Sequence, residues 1–342
     1  MKTLVTGGTG FLGKHLLQAL LADEKSDVRV LSRRPAKGLK KRVEVVEGDL
    51  LDGEALRAAV KGVTRVYHLA GWVSRRREDA GALFRLHVDG TRALLEAALA
   101  AKVERVVVSS SSGTIGVSTN PDFMATEESE YPIPILKKWP YYLSKVFQEQ
   151  TALAFGREKG LEVVCVNPSL LLGPGDSRLS STDDVLRFLR RQIPAIPEGG
   201  LSFVDARDAA AATIAAMAKG RAGERYLLGA ANWSFEKFLR KLEQVSHVPA
   251  PRLRVPKRLA DFALGLLDAV SRVTGKEWVD PVSAEMSRHY WYIDSSKAAR
   301  ELGFAPRDPD VTLVDTVKYL KKKFLEENVD GREVSPRADS ES

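Results

Sequence analysis

A short β-rich run, Thr3-Leu4-Val5, passes through Thr6-Gly7-Gly8-Thr9-Gly10-Phe11-Leu12-Gly13 into a stripe of apolar residues at helical spacing, Leu16-Leu17 and Leu20-Leu21. A strand that becomes a helix through glycines constrains the fold more than anything else in the chain. Gly7 allows a tight turn, Gly10 a close approach to phosphate, and Gly13 close packing of helix on strand. The free amides of Phe11 and Leu12 at the helix start suit an anion. An ordinary glycine-rich turn is the competing account, but this motif occupies the first strand-to-helix junction and a second strand follows at the expected distance. The spacing predicts a dinucleotide pyrophosphate site at Gly7, Gly10, Phe11, Leu12 and Gly13.

The second strand, Val28-Arg29-Val30-Leu31, ends in Ser32-Arg33-Arg34. An acidic residue here would accept hydrogen bonds from the ribose 2′-hydroxyl of NAD, whereas arginine suits the 2′-phosphate of NADP. Arg33 and Arg34 therefore predict NADP(H) over NAD(H). A solvated basic loop is the alternative, since Lys37, Lys40, Lys41 and Arg42 extend the charge run.

Far downstream stands Tyr141-x-x-x-Lys145. Side chains four apart share a helix face, and a lysine charge there is expected to stabilise phenolate and lower the Tyr141 pKa. A phenol so placed can protonate an alkoxide. A surface tyrosine beside a cation is the bland reading. The serine cluster Ser109-Ser110-Ser111-Ser112 at the end of an apolar strand, together with the glycine motif, weighs against it.

Further pieces fall in order: Gly48-Asp49-Leu50, His68-Leu69-Ala70-Gly71, Asp89-Gly90-Thr91, Ser112-Gly113-Thr114, Asn167-Pro168-Ser169 and Gly173-Pro174-Gly175-Asp176. With these the chain, from Met1 to about Leu325, resembles an extended short-chain dehydrogenase/reductase of the NAD-dependent epimerase/dehydratase superfamily, and dihydroflavonol 4-reductase-like proteins within it. The resemblance implies that Asp49 and Leu50 border the adenine. It places Leu69, Ala70 and Gly71 along the nicotinamide side, with Pro168 and Ser169 flanking that ring. Ser111 is similar to the family's catalytic serine, Tyr141 to its acid/base, and Lys145 to the residue that bonds the nicotinamide ribose. One departure stands out: the family's Asn-Val-x-Gly-Thr reads His87-Val88-Asp89-Gly90-Thr91 here, which bears on the local hydrogen-bond and water network.

Alternation of strands and helices through about residue 170 predicts an α/β fold, a doubly wound parallel Rossmann sheet with a smaller C-terminal substrate lobe. The expected division is 1–170 for dinucleotide binding with 202–218 returning to it, 171–201 and 219–328 for the substrate lobe, and 329–342 as a disordered tail. At 342 residues, 44% hydrophobic and 28% charged, the chain can bury a large core or two contiguous lobes. Its net charge of +7 lacks an aromatic-interleaved basic stripe, which argues against nucleic acid as a partner. Cys165, the sole cysteine, lies in the apolar Val163-Val164-Cys165-Val166 and reads as a core thiol with no disulfide. The histidines are scattered, so no metal site is expected, and His15 and His289 read as ordinary partly buried side chains.

Arg75-Arg76-Arg77 at the expected site rim can steer an anionic substrate or stand as a solvated charge run. With no apolar stretch long enough to span a bilayer, and the N-terminus entering a strand at once, the expectation is cytoplasmic. The run from Arg258 to Val270 reads as an amphipathic helix of the substrate lobe, with peripheral lipid contact left open, and a homodimer is compatible with the chain.

The resulting functional expectation is NADP(H)-dependent interconversion of a ketone and a secondary alcohol on a hydrophobic small molecule, dihydroflavonol reductase-like or 3β-hydroxysteroid/sterol dehydrogenase-like. The alternative is a nucleotide-sugar epimerase or dehydratase. Many such epimerases carry Arg-Tyr-Phe-Asn where this chain has Val164-Cys165-Val166-Asn167. A noncatalytic nucleotide-sensing scaffold is a third reading, disfavoured because both Tyr141 and Lys145 are present.

Overall fold

Strand segments such as Val106-Val107-Val108 have no polar side, which suits a sheet covered on both faces. The structure, a computed structural model, describes residues 1–33, 43–255 and 280–326. Arg34, the 258–270 run and the 329–342 tail lie outside the described residues. The first half alternates as β1 (Lys2–Thr6), α1 (Phe11–Leu20), β2 (Asp27–Ser32), β3 (Glu44–Glu47), α2 (Gly53–Val60), β4 (Arg65–His68), α3 (Ala80–Phe84), α4 (Gly90–Ala100), β5 (Arg105–Ser109), α5 (Ile133–Leu136), α6 (Pro140–Lys159) and β6 (Glu162–Pro168). There follow β7 (Leu170–Leu172), α7 (Asp183–Leu189), β8 (Ile196–Pro197), β9 (Gly200–Asp205), α8 (Ala206–Lys219), β10 (Arg225–Leu228), β11 (Ala231–Ser234), α9 (Phe235–Ser246) and β12 (Arg254–Val255). After the second gap come α10 (Pro281–Met286), α11 (Ser296–Leu302) and α12 (Pro309–Lys321).

Seven strands form one parallel sheet in the order β10-β6-β5-β4-β1-β2-β3. Because successive side chains point to opposite faces, Leu4, Val106, Val108 and Val163 join the core under α2, α4 and α6. Val5, Val107, Val164 and Val166 join the other core, under α1 and α8. This is the Rossmann-like architecture expected of the sequence. Cys165 is fully buried and free.

A separate apolar cluster holds the smaller lobe, where β7 and β11 flank β9. Phe188 and Phe203 are almost wholly buried there, each contributing roughly 1.5–3 kcal/mol. β9 belongs to this lobe, yet α8, which it leads into, packs on α1 against the large sheet. The Asp205 carboxylate caps α8 by accepting from Arg207 N at 2.8 Å, which fixes the turn between them. Among the described residues, no helix is long and apolar enough to cross a membrane.

At the turn from β1 into α1, Gly7 and Gly13 are dictated by space. Gly7 has φ +72°, and a Cβ there would stand 2.6 Å from the Leu69 carbonyl and Ala70 N. A Cβ on Gly13 would stand 2.2 Å from the Gly7 carbonyl oxygen, so α1 seats only on a glycine. Gly13→Ala is therefore expected to cost ~1–3 kcal/mol through forced backbone displacement. Urea denaturation checks it, and an unchanged midpoint would mean that α1 has room to slide.

Candidate active site

Strand order reverses between β1 and β4, so the chain leaves their carboxyl ends in opposite directions and a crevice opens. Its floor is the contact of Gly7 with Leu69 and Ala70. Leu69 N donates to Thr6 O at 3.1 Å, and Ala70 N to Thr6 Oγ1 at 3.3 Å. α1 starts after Gly10 with no side-chain cap, which leaves its first-turn amides for an incoming anion.

α6 carries Tyr141 and Lys145 on the side that meets the cleft. Ser111, just beyond β5, lines the same cleft as Tyr141, and its Oγ accepts from Gly113 N at 3.2 Å. Burial pushes the phenol above its ordinary value, Tyr142 adds to the rise, and the nearby Ser111 hydroxyl opposes it only in part. Lys145 is buried, and its Nζ donates to Ser109 O at 2.9 Å and Gln148 Oε1 at 2.7 Å. Burial lowers its pKa to about 8. The expected lowering of the Tyr141 pKa by Lys145 is thus reversed here, because both groups lose water and the ammonium spends its hydrogen bonds elsewhere.

From Lys145 a buried polar chain runs under the crevice. Gln148 Nε2 donates to Thr91 Oγ1 at 2.9 Å; His68 Nε2 lies 2.8 Å from Thr91 Oγ1, and its Nδ1 lies 2.8 Å from Thr6 Oγ1. Burial and the Lys145 charge hold His68 down at about 3, so it is neutral.

Glu149, fully buried, is the residue sequence reasoning missed. Its Oε2 accepts from Asn167 Nδ2 at 2.6 Å and Ser110 Oγ at 2.5 Å, while its Oε1 accepts from Arg225 Nη1 at 2.9 Å and Tyr131 OH at 3.0 Å. Asn167 Nδ2 also donates to Ser111 O at 3.1 Å, so this carboxylate holds the serine loop from behind. A signal for it exists: Gln148 and Glu149 extend the Tyr141 and Lys145 face by a further turn, where a charge needs an inward partner.

Gly7, Gly10, Phe11, Leu12, Gly13, Leu69, Gly71, Ser111, Tyr141, Lys145, Pro168 and Ser169 all line one cleft of about 920 Å³. Ala70 is not part of that lining: its N–H donates to Thr6 Oγ1 and its side chain packs on the core under α2, α4 and α6. Arg33, Asp49 and Leu50 stand apart: Arg33 is exposed after β2, Asp49 Oδ1 accepts from Leu51 N at 2.9 Å, and Leu50 is buried against Gly90. The remaining walls are largely apolar, with Trp72, Leu171, Phe235, Phe238, Met286 and Trp291 among them. Trp291 lies against Tyr142 with ring centroids 4.9 Å apart.

Of the basic run, Arg75 bridges the two halves, donating to Asp184 at 2.7 and 3.3 Å and to Ser283 Oγ at 2.7 Å. Arg76 pairs with Glu78 at the surface. His15 Nε2 meets Pro174 O at 2.8 Å, and His289 Nδ1 meets Glu285 O at 3.0 Å. No cluster of three or more potential metal ligands occurs among the described residues.

The NAD dependent epimerase/dehydratase family matches residues 3–229. A protein of Synechocystis sp. named "Putative dihydroflavonol 4-reductase" is 36% identical over 93% of this chain and 94% of its own. Sterol demethylase protein B of Methylococcus capsulatus is 35% identical over 95% of this chain and all (100%) of its own. The crystal structure of gox2253 superposes with a TM-score of 0.80 at 30% identity, covering 94% of this chain and 98% of that one.

The expectation of NADP(H) is corrected. Several solved structures similar to this chain hold NAD, among them the dTDP-glucose 4,6-dehydratase DesIV of Streptomyces venezuelae, with a TM-score of 0.72, 24% identity, and coverage of 94% of this chain and 97% of that one. An exposed guanidinium such as that of Arg33 can stack on a flat ring whether or not the ribose carries a phosphate, so its charge did not decide the question. The protein is an enzyme of the NAD(P)-dependent oxidoreductase and epimerase class that acts on CH–OH groups of a small molecule. With the family model covering most of the sheet half, and relatives aligned along nearly the whole length, the chain belongs to the NAD dependent epimerase/dehydratase family.

Proposed function

We propose that the protein interconverts a ketone and a secondary alcohol on a hydrophobic small molecule, using NAD(H). The observation that carries this reading is the placement of the Ser111–Tyr141 pair in a cleft walled by Trp72, Phe235, Phe238 and Trp291. The full-length likeness to reductase-named and sterol-named proteins supports it.

The residues present fit a dinucleotide. Side chains are absent at Gly7 and Gly13, where a Cβ would strike backbone, and the first turn of α1 has no side-chain cap. Gly10, Phe11 and Leu12 would hold the pyrophosphate through amides, and Lys145 the nicotinamide ribose. When bound, the nicotinamide supplies or accepts a hydride. Tyr141 gives the substrate oxygen its proton in reduction and removes it in oxidation, while Ser111 donates to that same oxygen and steadies developing charge. Because the phenol stands above its ordinary value, it remains protonated through neutral pH, which suits reduction.

A second reading, nucleotide-sugar epimerisation or dehydration, has its own support. Solved relatives are named for that chemistry, and the cleft also carries Arg178, Arg187 and Arg288, whose charge suits phosphate. The decisive comparison follows NADH absorbance with a panel of hydrophobic ketones and, separately, isomer interconversion of nucleotide sugars. Net NADH oxidation by ketones is expected. Epimerisation without net cofactor consumption, beside inert ketones, overturns the first reading in favour of the second.

Tyr141→Phe is expected to lower kcat by roughly a hundredfold or more, the range for lost acid/base catalysis, with NAD affinity nearly intact. Full turnover in the folded variant would remove Tyr141 from this role. Lys145 yields a pH test. Its ammonium persists below about 8 and is lost above, so kcat/KM, which reports the free enzyme, should fall as pH rises through that value. A profile level to pH ~10, near the ordinary lysine value, would show that the lysine charge is not needed.

A further inference from the structure

His87, where the resembled family carries asparagine, is fully buried at 0% exposure on the wide turn Arg85–Asp89 between α3 and α4. That turn is π-helical, and such turns recur at functional sites because the extra residue re-aims a side chain. The Trp72 backbone N–H donates to His87 Nε2 at 3.1 Å, and His87 Nδ1 lies 2.8 Å from Ser144 Oγ. A backbone amide only donates, so Nε2 is the acceptor and the ring proton sits on Nδ1, directed at Ser144. The Ser144 hydroxyl in turn donates to the Tyr141 carbonyl at 2.7 Å. An unbroken chain therefore joins the loop after β4 to the backbone of Tyr141.

Space around the ring is tight. Its centroid is 5.9 Å from that of Tyr141, edge to face. A Cβ on Gly71 would stand 3.2 Å from His87 Nε2 and 3.5 Å from Lys145 Nζ. The groups that face the imidazole are Lys145 and Tyr141 from α6 and His68 from β4. Burial first, then the Lys145 charge and His68, hold its pKa down at about 2.

We propose that His87 is a positioning residue: as a neutral Nδ1–H imidazole it sets the distance between the Gly71-Trp72 backbone and Tyr141, and it carries no proton in the reaction. His87 can act in this way only if Tyr141 is the acid/base of the proposed reaction. Both ring nitrogens are already committed, which leaves none to serve as a base. Asparagine reaches only as far as the Nδ1 position, so it keeps the bond to Ser144 and gives up Trp72. Glutamine reaches the Nε2 position and does the reverse.

Two measurements on the full-length protein test this, one of them independent of turnover. Nitrogen-15 NMR of the imidazole in the free protein should show the Nδ1–H tautomer, with no titration between pH ~5 and ~9, the span in which an ordinary histidine changes charge. Kinetics then compare His87→Asn and His87→Gln, alone and in a Tyr141→Phe background, on whichever substrate class the wild type turns over. Each single variant should lose roughly tenfold to a hundredfold in kcat, the scale of a small misplacement, with NADH affinity unchanged by fluorescence titration. In the Tyr141→Phe background neither should cause further loss, whereas a purely structural defect would lower both backgrounds alike.

A His87 resonance that titrates near neutral pH, or full kcat in both single variants, overturns the proposal. Inert ketones with active nucleotide sugars would displace the functional reading alone and leave the His87 comparison to be made on the sugar.

Discussion

The peptide of Gly7 lies so close to the one joining Leu69 to Ala70 that no side chain fits between them. This contact is where β1 and β4 part, and most of the site is referred to it. It turns the chain after β1 so that α1 presents its amides to the crevice, and it brings the end of β4 beside them. Directly beneath it, Thr6 and His68 are joined by a 2.8 Å hydrogen bond, and the chain through Thr91 and Gln148 ends at Lys145. The glycine turn before α1 and the helix that carries Tyr141 and Lys145 are thus two ends of one buried network. A displacement at either end must be passed along it, because interior polar groups that lose a partner are costly.

α6 concentrates that network on one face. Tyr141, Lys145, Gln148 and Glu149 recur at helical spacing, and each turns toward a different part of the sheet. Tyr141 faces the cleft, Lys145 and Gln148 the ends of β5 and β4, and Glu149 the ends of β5 and β6. Burying a carboxylate at Glu149 is expensive unless its oxygens are filled. Ser110, Thr114, Asn167, Tyr131 and Arg225 fill them. Removing one partner from such a pair costs about 3–5 kcal/mol, so the carboxylate and Arg225 stand or fall together. The consequence is geometric: Asn167, held by Glu149, holds the carbonyl of Ser111.

What the sequence disclosed follows from the range of each interaction. The glycine motif and Tyr141-x-x-x-Lys145 are local, and their residue types alone state the turn and the shared helix face. The sheet was legible because strands covered on both faces read as unbroken apolar runs. Arg225 lies 76 residues from Glu149, and Asp184 lies 109 from Arg75, so neither pair could be read from spacing. The pKa of Tyr141 was misjudged for the same reason. A nearby lysine lowers a phenol only if its charge is directed there and water is not lost, and both conditions belong to the packed structure. At Arg33 the error was of another kind, since a single charge at a strand end is compatible with more than one contact to the nucleotide.

The cleft divides its tasks between the two halves of the molecule. The sheet half supplies Ser111, Tyr141 and Lys145, all fixed by the ends of β5 and by α6. The lobe supplies Phe235, Phe238, Met286 and Trp291, which line the same cleft. Arg75 ties the two together through Asp184 and Ser283, so the wall is held at a set distance from the phenol. On the proposed reaction, a change of wall residues would alter which molecule is held without displacing Ser111, Tyr141 or Lys145. Fold alone does not fix substrate, and the relatives this chain aligns with along nearly its whole length carry names as different as dihydroflavonol 4-reductase and sterol demethylase.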